Sequence, residues 1–596
     1  MSDGDTNLQV VADRESTLKG LTSSTSSDTL AKSTSSKRFT RYRSAVPTWA
    51  LAFVFYLLVA LATIGRYALE DPSRVCSCVG TGDPAAYMWA LSWWPHAIIN
   101  GLNPFVTHLL WAPTGVNVAQ GAMIPTAAIV MAPLTAMVGP VASYNVLSIL
   151  GPVLAAFTSY LLCRRIAKRE LSAMAGGYLF GFSSYEFAQL TGHLNLTLIF
   201  LLPVMVHLSL RRFDDEISKR AYVTAMALLF VLQAGLSTEL LADSVVIGGL
   251  LLLSARWLAA PTHRARVTGL IVETAFAGAV ALVFASPFIY YALFSGSFPK
   301  GASGLSDVYA LDFLNPIFPT YVTWLGHHDF LSLGISYESG NVTEADGYLS
   351  VALILAFVAW FVHRGTPRLL GRLVVFAAGV SLVLSLGSHL HVAGNSTVMM
   401  PFNWLRHLPI FDDLIPSRIV VFTVLAMAVG ISAWLAIPGR GTAARWCLVL
   451  VGVLLTFPNM LRPLYGVPPH NPTFFSTTAY RRYLTRGETV LVLPFGSNDV
   501  SMLWQAETGF YFYMPEGYVS GVVPSPFNRE LTAVQLVSNV PMPAPPLGSF
   551  IREHAVSDVV VDPVEAGPWP DLLAQLGLHP RRIRGVLLYH VPGSPA

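Results

Sequence analysis

The sequence predicts an α-helical polytopic membrane protein with a small α/β domain at its C-terminal end. Charged residues make up 12% of the 596 and hydrophobic ones 53%, whereas soluble domains carry about 25% charged residues. The mean hydropathy is +0.54, and the charge deficit is concentrated in apolar segments of about 17 to 25 residues, the length that crosses a bilayer core. After Pro463 the texture changes to short apolar runs of strand type, "TVLVLPF", "SDVVVD" and "GVLLYHV", with "PDLLAQLG" reading as a helix that ends at Gly577.

Residues 1–45 are polar, Ser/Thr-rich and poor in aromatics, so they are expected to be a disordered tail. No cleavable signal peptide precedes the first apolar run. The tail ends in Lys37, Arg38, Arg41 and Arg43, which places it in the cytoplasm by the positive-inside tendency. A net charge of +3 is too small to suggest a nucleic-acid partner.

The first span is expected at 46–66, followed by an external loop, 67–142. The apolar block 121–163 contains a Gly-Pro break and ends in "CRRIAKRE", so 143–163 is taken as the crossing helix and 121–139 as a re-entrant or interfacial segment. Further spans are read near 171–189, 193–210, 221–237, 239–257, 267–293, 347–363, 372–388, 417–437 and 443–461. Each predicted cytoplasmic loop bears Lys or Arg. The count is about eleven spans, which makes 46–464 a transmembrane domain of a cell (plasma or inner) membrane protein. Residues 465–596 form the extracytoplasmic domain.

This topology sorts the polar residues by side. Asp83, His96, His193, Asn195, Glu239, Asp307, Asp312, Glu344, Asp346, Asp412, Asp413 and Arg418 fall outside or near outer helix ends, which implies a polar cavity opening outward. For Asp307, Asp312, Glu344 and Asp346 the reading stays at polar loop residues. Asp83 sits in a turn made by Gly80, Gly82 and Pro84, ahead of "AAYMWALSWWPHAI", an amphipathic helix whose Trp89, Trp93 and Trp94 suit headgroup depth. It reads as a working acid or an N-cap of that helix, two roles that do not exclude each other. Arg418 heads an apolar span at its outer end, where a guanidinium can bind a phosphate bidentately or act as a snorkelling anchor. His193 and Glu239 occupy matching short outer turns and face the cavity or cap helices. Among four cysteines, Cys163 and Cys447 read as buried thiols. Cys76 and Cys78 form a C-x-C that is open to a local disulfide.

The runs "GDPAAYMWALSWWPHAIINGLNPF", "NVLSILGPVLAAFTSYLLCRRI", "GFSSYEFAQLTGHLNLTLIFLLPV" and "IPSRIVVFTVLAMAVGI", with an acid soon after the first span, resemble the GT-C membrane glycosyltransferases, in their poorly characterised bacterial branch. The resemblance covers roughly residues 46 to 596. It implies inverting transfer of a sugar from a polyprenyl-phosphate-linked donor lying in membrane lipid to a cell-envelope glycan, glycolipid or protein acceptor on the outer face. Asp83 would then be the general base and Arg418 and His193 the donor-phosphate contacts. His96, Glu239, Trp93 and Asn195 would line the cavity or meet the acceptor. The chain has Asp83 followed by Pro84 where many relatives carry consecutive acids, a thin ligand set for a divalent cation. No metal ligand is therefore assigned, and a magnesium or manganese ion is left open. The rival readings are a lipid or glycolipid flippase, disfavoured by the lack of an inverted repeat, and a non-catalytic scaffold of glycan assembly.

Overall fold

The computed structural model describes residues 47–596 apart from 79–81, 295, 298–307, 337–341, 346, 364, 408–413, 496–499, 521, 539–541 and 594–596. The tail 1–45, Gly80, Asp307, Asp346, Asp412 and Asp413 lie outside the described residues.

Hydropathy and helix length make the chain a membrane protein. Among the described residues six helices are long and apolar enough to cross a bilayer: Pro125–Ala167, Leu194–Phe213, Thr238–Leu258, Pro261–Phe284, Arg368–Ser385 and Pro416–Leu435. Three shorter apolar helices accompany them, Thr48–Thr63, Val351–Val362 and Thr442–Leu455. The first ten helices are α1 (Thr48–Thr63), α2 (Asp83–Ile99), α3 (Pro125–Ala167), α4 (Glu170–Gly181), α5 (Ser184–Gln189), α6 (Leu194–Thr197), α7 (Leu201–Phe213), α8 (Lys219–Ala234), α9 (Thr238–Leu258) and α10 (Pro261–Phe284).

Two stretches depart from simple crossings. The block read as a re-entrant segment plus a span, α3, is two helices that meet at a kink, with non-helical backbone at Gly139 (φ 84°) just before Pro140. Proline has no N–H to continue the ladder, and glycine alone takes that φ without strain. At about 1.5 Å per residue the part after the kink, 140–167, is about 42 Å long, enough to cross the bilayer core. The pair of spans expected at 171–189 and 193–210 is instead four pieces, α4 to α7, with non-helical backbone at Phe182, His193 and Leu198. Ser183 starts α5 by accepting a hydrogen bond from the Glu186 N–H at 3.3 Å. Such interruptions are tolerated at membrane depth where protein surrounds them, and residues 184–197 are all buried except Gly192.

The C-terminal portion holds a four-stranded sheet. With the short hairpins β1/β2 (Val106–Thr107, Val116–Asn117) and β3/β4 (His389–Val392, Asn395–Met399) counted first, its strands are β5 (Val490–Leu493), β6 (Asp558–Val561), β7 (Arg581–Ile583) and β8 (Val586–His590). The order is β5-β6-β8-β7, with β5 and β6 parallel and the other pairs antiparallel. Every residue of β5 and β6 is buried, as expected of a parallel pair covered on both faces.

Residues 47–596 form one compact unit, and α2 joins the sheet portion to the helical portion. Its tryptophans are packed inside the protein instead of facing lipid. Trp89, Trp93 and Trp94 are buried in the core shared with the sheet portion, because each indole N–H finds a protein acceptor: Gln505 Oε1 at 2.7 Å, the Pro104 carbonyl at 2.9 Å and the Met123 carbonyl at 2.8 Å. A buried indole with its N–H satisfied needs no aqueous interface. Ahead of α2, Cys76 and Cys78 are joined in a disulfide. The Ser77 N–H between them donates to Asn145 Oδ1 on α3 at 2.7 Å, and the same side-chain amide donates to the Pro72 and Val75 carbonyls.

Candidate active site

Asp83 is the first residue of α2, with Gly82 in the cap position at φ 72° and no side chain closing the first turn. The N-cap alternative therefore does not describe it, and its carboxylate is available elsewhere. Asp83 Oδ2 lies 3.2 Å from His193 Nε2, and 36% of the side chain is exposed. The Tyr518 phenol, from the sheet portion, lies near enough to feel the charge of the same carboxylate. Burial, and then the Asp83 charge, push the Tyr518 phenol well above its ordinary value, so it stays a donor.

His193 holds its place because the chain breaks between α5 and α6. Its Nδ1 lies 2.8 Å from Gln189 Oε1, one turn back, and 3.6 Å from Glu344 Oε1. Gln189 is fixed in turn by donating to the Thr343 carbonyl at 2.9 Å. Acceptors thus face both ring nitrogens, so the imidazole donates on both sides only when both nitrogens carry protons.

Glu344 is almost fully buried and accepts from Arg418 Nη2 at 2.5 Å and Nε at 3.1 Å, and from the Ser417 hydroxyl at 3.1 Å. Burial alone would raise its carboxyl, but the Arg418 guanidinium and His193 hold it below the usual range. Arg418 pairs through Nη1 with Glu239 as well, and Glu239 Oε1 accepts the Ile415 N–H at 2.9 Å. Asp243, one turn along α9 from Glu239, is a further buried carboxylate. The result is one connected line: Asp83, His193, Glu344, Arg418, Glu239.

Asn195 reaches the site indirectly, its Oδ1 accepting from the Tyr87 hydroxyl at 2.5 Å. Tyr87 stands one turn after Asp83 on the same face of α2. Trp93 and His96 are not brought to Asp83: at about 1.5 Å per residue they lie about 15 and 20 Å along the helix. Trp93 stacks on Trp89 and the His96 ring lies 4.6 Å from Phe510. Glu344, Gln189, Ser417, Tyr87 and Tyr518 join the site without having been singled out in sequence. Only Glu344 carried any signal, as an acid just ahead of a span.

Among the described residues no group of three or more His, Cys, Asp or Glu side chains is arranged to hold a metal ion. Asp83 faces a histidine and a tyrosine, while Glu344 is engaged by Arg418 and Ser417, so these residues do not fit a resident divalent cation.

A family model described as "Domain of unknown function (DUF6311)" matches residues 53–457, which include the whole line from Asp83 to Arg418. The chain belongs to the DUF6311 family. No curated protein matches the DUF6311 chain in sequence. Among solved structures, the arabinofuranosyltransferase AftD from Mycobacteria is similar over 92% of the DUF6311 chain, at 16% identity and a TM-score of 0.58. The match covers 42% of AftD, so the chain spans about two-fifths of that protein's length. The oligosaccharyltransferase of Archaeoglobus fulgidus matches 90% of the chain and 72% of its own at 12% identity and a TM-score of 0.49. ArnT from Cupriavidus metallidurans, solved bound to undecaprenyl phosphate, matches 93% and 100% at 12% identity and a TM-score of 0.38. These neighbours are GT-C glycosyltransferases, and on the AftD likeness the DUF6311 chain has the GT-C fold.

Proposed function

We propose that the protein is an integral-membrane inverting glycosyltransferase that moves a sugar, arabinofuranose or mannose being suitable, from a polyprenyl-phosphate donor to a cell-envelope acceptor. The observation that carries this reading is Asp83. It is an uncapped carboxylate at the open head of α2, partly exposed and 3.2 Å from a buried histidine. The fold is shared with a glycosyltransferase, and the acid stands in the first external loop of the proposed topology.

In the step assigned to it, Asp83 accepts the proton of the acceptor hydroxyl as that oxygen attacks the anomeric carbon. The bond from this carbon to the phosphate oxygen breaks, and polyprenyl phosphate leaves with the electron pair. The new charge on the phosphate balances the proton held by Asp83, which passes to water or to the phosphate before the next cycle. Such proton transfer contributes about 10²–10⁴ in rate. His193 orients the Asp83 carboxylate by donating to it, and the protonated Tyr518 phenol stands nearby. Glu344, kept charged by Arg418, orients His193 from the other side. A direct Arg418–phosphate contact would require the guanidinium to exchange Glu239 for the phosphate. The network gathers more carboxylates than cations, which suits the proton-accepting half of the reaction.

The eleven-span topology, with the tail inside and 465–596 outside as an acceptor-binding or gating domain, belongs to the same proposal. The Cys76–Cys78 disulfide supports an oxidising exterior for the first loop. The test is transfer in lipid nanodiscs from a panel of polyprenyl-phosphate sugars to a cell-wall glycan, comparing wild type with Asp83→Asn for turnover and for donor binding. Lipid movement without sugar transfer by either protein would replace the enzyme with a flippase.

A further inference from the structure

The sheet portion carries a concentration of positive charge that the reaction above does not use. Arg481, Arg482 and Arg486 lie on and just after the short turn of helix Thr478–Arg482, and Arg581, Arg582 and Arg584 lie on and just after the edge strand β7. All six are exposed. Among the described residues none of the six has a carboxylate within ion-pair distance, in contrast to Arg165, Arg212 and Arg418, each held by two acids. Two nearby acids have other partners: Asp558 faces His590 at 3.2 Å, and Glu507 accepts from Asn471 at 2.7 Å.

The two arginine segments are one surface. The Arg581 guanidinium lies 5.9 Å over the Tyr483 ring and that of Arg481 lies 5.7 Å over Tyr480. The Arg584 carbonyl accepts from the Phe474 N–H at 3.1 Å and the Thr473 hydroxyl at 3.2 Å. Planar cations therefore stand beside aromatic faces. The contacts bring Arg481, Arg581 and Arg584 to one side of this surface, where uncompensated guanidiniums repel one another and an anion relieves that repulsion with bidentate hydrogen bonds. An anionic membrane would also satisfy the charge, but surfaces that enter lipid pair basic residues with large exposed apolar ones. No exposed large hydrophobic residue occurs in 470–488 or 578–590.

We propose that this surface binds an anionic polysaccharide, a glycan chain bearing carboxylate or phosphate groups, with the exposed guanidiniums, held in place by the tyrosine rings beneath them, taking the acidic groups. That this glycan is the acceptor rests on the glycosyltransferase reading; its binding does not. The full chain in phosphatidylcholine nanodiscs should bind fluorescent alginate oligomers, a polyuronate probe, and not neutral dextran, with affinity that falls as salt rises. The triple variant Arg481→Gln, Arg482→Gln and Arg581→Gln should bind alginate about tenfold more weakly or worse. The corresponding triple Lys variant, which keeps the charge but not the bidentate fork, should bind between wild type and the Gln variant, which separates lost charge from lost folding. Equal binding of alginate and dextran, or undiminished alginate binding by the Gln variant, would overturn the proposal. So would failure to bind alginate by a protein that captures phosphatidylglycerol vesicles through the same arginines, which would make the surface a membrane contact. Failure of sugar transfer with alginate binding intact would count against the enzyme reading alone.

Discussion

Replacing Arg418 with methionine should destabilise the protein by about 3–5 kcal/mol, the usual cost of removing one partner from a buried ion pair. The magnitude follows from what is left behind. The Arg418 side chain is 12% exposed and Glu344 3%, so the variant strands Glu344 without its counter-charge, beside Glu239 and the buried Asp243. At about 2.1 cal/mol/K per residue, a loss of 4 kcal/mol is about 3 °C in melting temperature for a chain of this length, readable by thermal unfolding in detergent. Acidity supplies an internal check. In wild type the Glu344 carboxyl titrates below its ordinary 4.5, so its contribution is present above pH 4.5 and is lost as pH falls through the lowered folded value. Without the guanidinium, burial carries the same group above 4.5, and the variant loses stability as pH rises. The gap between the two proteins should be widest at neutral pH and close on acidification. Adding Glu344→Gln to the variant should recover part of the loss, because a buried amide needs no counter-charge. A loss under about 1 kcal/mol, the size of an exposed pair, or a gap indifferent to pH would refute the reasoning.

Three further expectations follow from the same geometry. His193→Gln removes a charge-assisted hydrogen bond to Asp83 and should lower kcat roughly 10- to 100-fold with donor KM little changed; a raised donor KM at unchanged kcat would instead make His193 a phosphate contact. Tyr518→Phe should lower kcat about tenfold by removing the phenol that neighbours Asp83, measured beside a melting curve that stays within about 1 kcal/mol of wild type. Glu488, half-buried beside Asp558, is raised to about 7 by burial and then by that neighbour. It lowers the stability of the sheet portion as pH rises from its ordinary 4.5 through about 7, and in Glu488→Gln that decline should disappear from unfolding curves taken across the range.

That the chain crosses a membrane can be read from hydropathy, because lipid imposes a length on every crossing helix, and six helices of that length and composition are present among the described residues. The apolar runs at 489–495, 557–562 and 585–591 are β5, β6 and β8 for an equally local reason, since each is a short β-branched or Leu-rich stretch bounded by turn residues. Asp83 could be found because its turn is local as well. The rest of the site could not. Glu344 reaches His193 and Arg418 only because the segment before Val351 folds back over the break between α5 and α6, a contact over more than 150 residues. Tyr518 arrives from the far side of α2. The breaks in α4–α7 leave little trace in hydropathy, because buried non-helical backbone is as apolar as a helix. Trp93 and His96 show the converse error: they share a helix with Asp83, yet the rise of that helix already separates them from it by 15 Å or more.

The measurement that bears most directly on the account is sugar transfer by Asp83→Asn in nanodiscs. Asparagine keeps the size and hydrogen-bonding reach of the side chain while removing its capacity to take a proton. The account predicts donor binding within a few-fold of wild type and turnover reduced by about 10²–10⁴. Turnover at the wild-type rate would show that the proton goes elsewhere and that Asp83 is not the base.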